Sequence, residues 1–570
     1  MKSPSIHLPS ASGGTADASA TSAPNAEPAP HVVVLGFGPV AARLIDQLLG
    51  DVTAGRLRLT VVGTECLPAY QRIKIGDVSV GRSTPEDLAL TDEAELVGVG
   101  VDVRCGVTAT ALHTASRVIT LDDGAILHYD KLVLATGAEP LTPQMSVEMR
   151  RGGAIDAELT MKANGRSAGP RSRAPHSPSP QSRSYPDGVL ALRDLADARR
   201  IHQSLRRQEP VVVLGGGVLG VEAALAVAEV GGVVTLLHRG TVPMGRQIDT
   251  DSGMLLRRQL IDAGVDVRSA CDVTTVVADD GRLSAVRTSW DEKIPTTLLI
   301  TCTGVKPRDS LATEAGLPTA WGIVVDRACR STGDDHVFAV GDCAAVEDRD
   351  PSGLIGPGWE QAEAAAAAIR GDVGLTEPVT LDAGGRPVGL KGAVGAAVAS
   401  SASASQAAAA AAGAEKLEVI LVKSRTLSVA CAGNTAVDPW DPDSPTVSTW
   451  SDPKAGQYLR IVTEGERLVG FVAVGMARSA AEMALHCTRG TLPVADRTAL
   501  LAAEHATKEA ELGPDDVLCR CSGATAGRVE DAASGCSSVE EVGAACRAGT
   551  GCGTCHRSIE KMLAAASAPA

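Results

Sequence analysis

Short apolar runs that break at glycine turns and restart as amphipathic segments set the pattern of this chain. "HVVVLGFGPVAARLIDQL" (31–48) reads as a buried strand, a Gly-rich turn and a helix with apolar positions at helical spacing. "PVVVLGGGVLGVEAALAVAEVGGVVTLLHRG" (210–240) repeats that order and adds a second strand. "RLTVVGTE" (58–65), "KLVLATGAEP" (131–140), "LLITCTGVKPR" (298–308) and "HVFAVGDCAAV" (336–346) read as further apolar strands ending in small residues. Strands alternating with helices predict parallel sheets of the α/β class. Farther on, "DPKAGQYLRIVTEGERLVGFVAVG" (452–475) predicts a hairpin-like strand pair. "HRSIEKMLAAA" (556–566) predicts a helix.

Three stretches lack the patterning. The Ser-, Ala- and Pro-rich start (1–30), "ANGRSAGPRSRAPHSPSPQSRSYPDG" (163–188) and the Ala/Ser run near 393–414 cannot bury enough apolar surface to offset their ordering entropy. They are expected to be a disordered tail, a disordered insertion and a linker. The start has no basic segment followed by an apolar core, and the Ala/Ser run is too weakly apolar to span a bilayer. A cytoplasmic protein without membrane contact is expected.

Composition narrows the partners. A formal charge of −15 and an aromatic content of 2% argue against a nucleic-acid partner. In a reducing compartment the 14 cysteines are better explained as metal ligands and buried residues than as disulfides.

The first turn is G-x-G-x-x-A, at Gly36, Gly38 and Ala41. Such a turn lets a pyrophosphate approach the backbone and rest on a helix N-terminus. Glu65 ends the next strand, where a carboxylate can accept from a ribose. It lies 29 residues after Gly36, a longer connection than the usual ~20. The second turn is a full G-x-G-x-x-G, at Gly215, Gly217 and Gly220. Its following strand ends in His238 and Arg239 instead of an acid, which favours NADPH and leaves NADH open.

Two such turns, with Thr136-Gly137 and Gly341-Asp342 at further strand ends, resemble the glutathione-reductase-like, two-dinucleotide-binding flavoproteins. The resemblance covers about 31–370. It implies that Gly36, Gly38, Ala41, Glu65, Thr136, Gly137, Gly341 and Asp342 hold FAD, and that Gly215, Gly217, Gly220 and Arg239 hold NAD(P)H. Disulfide reductases of that group keep a cysteine pair early in the FAD domain. The matching stretch here, "ECLPAYQRIKIGD" (65–77), has only Cys66, so electrons must leave the flavin by another route. Arg72 or Lys74 would stabilise reduced flavin or be surface cations, and Glu222 would orient the nicotinamide or simply sit at the start of its helix.

That route is suggested by Cys519-x-Cys521 and Cys552-x-x-Cys555, four thiolates of the number a [2Fe–2S] cluster needs. Zinc also accepts four thiolates. Cys536 and Cys546, between the pairs, read as packing residues. Residues 517–563 resemble the small [2Fe–2S] domain of the bacterioferritin-associated ferredoxins. "LPAYQR" (67–72) and the residues around 452–475 resemble the large subunit of NAD(P)H nitrite reductases.

The expected fold is thus an α/β two-dinucleotide-binding FAD/NAD(P) flavoprotein, with a small α+β domain and a small, mainly helical [2Fe–2S] domain. Its expected parts are FAD-binding 31–145, the insertion 146–188, NAD(P)H-binding 189–306 and an FAD return part 307–392. The linker 393–414, a small reductase domain 415–505 and the cluster domain 515–563 complete it. The sequence carries no second cysteine set for a sirohaem centre and stops at Ala570, so the resemblance implies an NAD(P)H-dependent electron-transfer subunit. The implied partner is the molybdenum-containing catalytic subunit of an assimilatory nitrate reductase. A ferredoxin, rubredoxin or oxygenase reductase, a nitrite reductase component, and an iron- or redox-sensing module stay open, as does a homodimer.

Overall fold

The computed structural model describes residues 28–152, 154–155, 185–205, 209–347, 349–375, 379–381, 387–388, 417–422, 424–489, 492, 513–551 and 555–566. The expected tail (but for 28–30), the expected linker (393–414), nearly all of 163–188 and Cys552 lie outside the described residues.

Five parallel strands build the first sheet, in the order Val337–Ala339, Lys131–Leu134, His31–Leu35, Arg58–Gly63, Val101–Cys105. The central strand is apolar at successive positions because both faces are covered. Val32 and Val34 pack on the helices Pro39–Thr53 and Ile355–Asp372. Val33 and Leu35 face the other way, into a cluster that includes Ile119 and Leu127 of a three-stranded antiparallel sheet. The strand after the first helix lies on one side of His31–Leu35, and Lys131–Leu134 on the other. The glycine turn therefore sits where strand order reverses, the usual ligand crevice of such sheets.

A second five-stranded parallel sheet has the same plan, in the order Val189–Ala191, Leu298–Thr301, Val211–Leu214, Val234–Leu237, Val265–Arg268. Beside it, Val273–Asp279 and Arg282–Thr288 form part of a separate five-stranded sheet. That sheet corrects one boundary. Residues 146–188 were expected to be unstructured throughout, yet Ser146–Arg151 is a strand parallel to Val273–Asp279, and Ala154–Ile155 folds back on it. Val147 is buried there. Its partner strand lies more than a hundred residues away in sequence, so no local window reveals the pairing.

The third unit is a five-stranded sheet with the helix Ala477–Arg489, and its hairpin is Gln457–Glu464 with Arg467–Val474. It leans on the second sheet's unit: Tyr458 Oη donates to Asp249 Oδ1 at 2.8 Å, and Gln259 Nε2 to the Gly456 carbonyl at 2.8 Å. Glu229, ending the helix Val218–Glu229, joins three parts. It accepts from Arg82, from Ser424 Oγ at 2.9 Å and from the Arg425 amide at 3.2 Å. The last unit is a small hairpin, Val517–Cys519 with Ala524–Thr525, followed by the helices Ala526–Ala533, Val539–Cys546 and His556–Ala566. Among the described residues no helix is long and apolar enough to cross a membrane.

Candidate functional site

The first turn is wedged shut on one side and open on the other. Gly36 has φ +105°, and a Cβ there would lie 2.1 Å from the Ala135 carbonyl oxygen. Only glycine fits. Gly38 is the N-cap of Pro39–Thr53, and no side chain caps that helix. A Cβ at 38 would meet nothing within 4 Å. The first helical N–H groups thus face open space, an arrangement suited to an anionic pyrophosphate. Ala41 is buried one turn in. Thr136 Oγ1 donates to the Arg308 carbonyl at 2.7 Å, and the Arg308 amide to the Gly137 carbonyl at 2.9 Å, tying this crevice to the chain that returns from the second sheet.

Glu65 lies two residues past the end of the strand Arg58–Gly63, which was expected to run to it, inside a network that local patterning does not show. Tyr70 Oη donates to Glu65 Oε2 at 2.6 Å, and Arg72 Nη2 to Oε1 at 2.5 Å. The Arg72 guanidinium also lies 5.1 Å from the Tyr70 ring centre and donates to the Arg193 carbonyl at 3.0 Å. Arg193 in turn donates to Asp342 Oδ2 at 2.6 Å and to the Ala138 carbonyl at 3.2 Å. Burial first, and then Arg72 and Glu65, perturb the Tyr70 phenol, with the net direction upward, so it stays a donor. The Gly341 amide is held by Gln361 Oε1 at 2.7 Å. One polar chain, Glu65–Arg72–Arg193–Asp342, therefore runs between two strand ends that are separated by 277 residues. Tyr70 and Arg193 are its members that sequence reasoning missed. Tyr70 lay inside the stretch "LPAYQR" (67–72) without a role, and no predicted element marked Arg193. Lys74 ends the short helical turn Arg72–Lys74, half-buried, and its ammonium enters no ion pair among the described residues.

The second turn repeats the first. A Cβ on Gly215, at φ +130°, would lie 2.2 Å from the Cys302 carbonyl oxygen, and one on Gly220 would lie 1.8 Å from the Gly215 carbonyl oxygen. Gly217 caps Val218–Glu229 with no side-chain bond, and a Cβ there meets nothing within 4 Å. Glu222 lies on this helix near Cys302, whose thiol is pushed up to about 12 by burial and then by the Glu222 charge. His238 is buried, with Nε2 3.0 Å from Ser269 Oγ. Arg239 bonds Asp272 at 2.7 Å, yet its side chain is 74% exposed, so the guanidinium is tethered beside the turn without being sealed away.

In the last unit Cys519 and Cys555 are buried and lie in one apolar cluster with Cys546, against which Cys521 and Cys536 pack. The Cys519 thiol is lowered to about 5, chiefly by the hydrogen bond from Cys555, then by Ser522 and the Gly549 amide. That environment favours a thiolate, the form a metal ligand needs. A Cβ at Gly551 would lie 2.4 Å from Cys521 Cβ and 2.8 Å from its Sγ, so the second ligand loop closes over the first only because 551 is glycine. His556, opening the last helix, hydrogen-bonds the Gly549 carbonyl at 2.6 Å. Among the described residues no three His, Cys, Asp or Glu side chains form a metal-holding set; Cys552, the fourth expected ligand, is not among them. Soft thiolate donors and glycine loops fit an iron–sulfur cluster. Cys536 and Cys546 pack in the unit's core, as the sequence suggested.

Two glycine crevices on duplicated parallel sheets define a two-dinucleotide oxidoreductase. The chain belongs to the pyridine nucleotide-disulphide oxidoreductase family, whose profile matches residues 30–369. Residues 517–565 match the BFD-like [2Fe-2S] binding domain. Its cofactors are accordingly FAD, NAD(P)H and a [2Fe–2S] cluster, and it is an NAD(P)H-dependent flavin oxidoreductase. It is 24% identical over 543 residues to the NAD(P)H nitrite reductase of Bacillus subtilis (strain 168), covering 94% of this chain and 57% of that protein. It is 23% identical over 545 residues to the assimilatory nitrate reductase electron transfer subunit of the same organism, covering 94% of this chain and 59% of that one. The chain thus spans little more than half the length of these curated relatives. Among solved structures it resembles the covalent putidaredoxin reductase–putidaredoxin complex, with a TM-score of 0.61 and 20% identity over 84% of this chain and 99% of that chain.

Proposed function

We propose that this chain carries electrons from NAD(P)H through FAD to its own C-terminal cluster, and from there to a separate catalytic subunit, that of an assimilatory nitrate reductase. The observation that carries this reading is the joining, in one chain, of two glycine crevices suited to dinucleotides with a tail unit in which Cys519, Cys521 and Cys555 pack together. The bound flavin supplies the exchange between a two-electron donor and a one-electron acceptor.

The chain's residues then have these roles. Gly36, Gly38 and Ala41 admit the FAD pyrophosphate to the helix N-terminus. Glu65, held by Tyr70 and Arg72, accepts from the ribose. Thr136, Gly137, Gly341 and Asp342 line the remaining strand ends. Lys74, half-buried and outside any ion pair among the described residues, and Arg72 place positive charge where reduced flavin gains negative charge. Gly215, Gly217 and Gly220 admit the NAD(P)H pyrophosphate, Glu222 orients the nicotinamide, and Arg239 takes a 2′-phosphate. Cys519, Cys521, Cys552 and Cys555 hold the cluster.

Anaerobic titration of the purified holoprotein with NADH and NADPH, followed by optical and EPR spectroscopy, tests this. Flavin bleaching followed by a reduced [2Fe–2S] signal is expected. A cluster that stays oxidised beside reduced FAD, or zinc in its place, overturns it. Reduction of a molybdenum subunit by the reduced chain, with nitrite consumption absent, separates the nitrate reading from a nitrite reductase component.

A further inference from the structure

The tail unit grips the rest of the chain through two arginines that flank its ligand loops. Arg520, between Cys519 and Cys521, donates from Nη2 to the Ala481 carbonyl at 2.9 Å, on the helix Ala477–Arg489 of the third unit. Arg547 donates from Nη2 to the Leu90 carbonyl at 2.8 Å, and its Nη1 lies 3.7 Å from Asp46 Oδ2 on the helix Pro39–Thr53. The Leu90 amide bonds the Ala69 carbonyl at 2.8 Å. Arg547 therefore holds the back of the segment whose next residues, Tyr70 and Arg72, anchor Glu65.

Arg547 is also out of place for the tail's own needs. It follows the helix Val539–Cys546 as its C-cap, at φ +62°. Glycine or asparagine suits that left-handed position, and a long L side chain is strained in it. Inside the tail unit alone, glycine would serve better. The strained position aims the guanidinium outward at Leu90 and Asp46.

We propose that Arg547 docks the cluster unit onto the FAD-binding unit, while Arg520 steadies it against the third unit, as the positioning contact for flavin-to-cluster electron transfer. This rests on the relay proposed above. Each transfer oxidises the reduced flavin by one electron and converts one ferric ion of the cluster to ferrous. Two transfers, with the cluster reoxidised between them by the separate catalytic subunit proposed above, discharge the pair that NAD(P)H delivered as hydride, and the flavin's proton returns to solvent. The contact is partly ionic and exposed, so salt weakens it.

The test is Arg547→Gly in the full-length holoprotein, a change that relieves the left-handed strain and leaves all four ligands in place. Anaerobic stopped-flow should show flavin reduction by NAD(P)H unchanged and cluster reduction slower by roughly tenfold or more. Hydrogen exchange of the amides in 86–92 should rise. Asp46→Arg, which leaves the tail untouched, should slow the same step, and 0.5 M NaCl should slow the wild type but not Arg547→Gly. Unchanged cluster reduction and unchanged exchange in both variants overturn the docking role. If the wild-type cluster accepts no electrons at all, the relay itself fails, and the exchange measurement still decides whether the tail docks at Leu90.

Discussion

Replacing Gly38 with alanine, beside Gly36→Ala as its contrast, separates binding from folding at the first turn. A Cβ at 38 meets no protein atom within 4 Å, so the apoprotein should lose no more than about 1 kcal/mol, the scale of a changed N-cap. That same Cβ occupies the space a pyrophosphate must enter. FAD affinity should fall by about a hundredfold or more, near 2.8 kcal/mol at ~1.4 kcal/mol per decade. Gly36→Ala places its Cβ 2.1 Å from the Ala135 carbonyl oxygen, at φ +105°, so the strand ends must separate. That belongs to the backbone-strain and overpacking class, at about 3–5 kcal/mol, and should reduce soluble, folded protein. Thermal unfolding of the apoproteins gives the folding terms, and flavin fluorescence quenching gives the affinities. A Gly38→Ala protein that binds FAD as tightly as wild type would refute the assignment of the phosphate to this turn. A Gly36→Ala protein of wild-type stability would refute the close approach.

Cys555→Ser removes a soft ligand and the donor that lowers Cys519, and should abolish the iron–sulfur absorbance while FAD stays bound; iron and flavin content per chain check it. Arg239→Ala should raise the KM for NADPH by about tenfold and leave NADH within about twofold, as removal of a phosphate partner demands; steady-state kinetics with both donors decide. Asp372 accepts from Arg330 at 2.6 and 2.9 Å and pairs with Lys131. The Arg330 bond leads in holding its carboxyl at about 2, against an ordinary 3.8. A depressed acid stabilises the fold fully above its unfolded value, and that share drains away as pH falls from 3.8 toward 2. Asp372→Asn should therefore lower stability at pH 7 by about 1–2 kcal/mol, solvent screening included, and flatten the loss between pH 5 and 2, by urea unfolding across that range.

Much of the site was legible because its chemistry is local. A glycine that must adopt positive φ and let a carbonyl approach is written into G-x-G-x-x-A and G-x-G-x-x-G. Both turns lie at the expected strand-to-helix junctions, with Thr136-Gly137 and Gly341-Asp342 at neighbouring strand ends. The central strands were readable because burial on both faces leaves them nearly all apolar, as in His31–Leu35 and Val211–Leu214. The boundary at 146 was misread for the opposite reason: Ser146–Arg151 is polar at alternate positions and becomes a strand only when Val273–Asp279 pairs with it.

What the sequence determined by itself is the list of chemical parts: two dinucleotide turns, a single cysteine beside the first, and two cysteine pairs at the far end. Only the tertiary structure decided which parts touch. Arg72 and Asp342 are linked through Arg193, Glu229 unites three units, and Arg547 meets Leu90 and Asp46 across more than 450 residues of chain. A backbone turn is encoded by the residues within it. An ion pair between distant segments depends on how whole sheets and helices pack, and nothing in either segment alone specifies its partner.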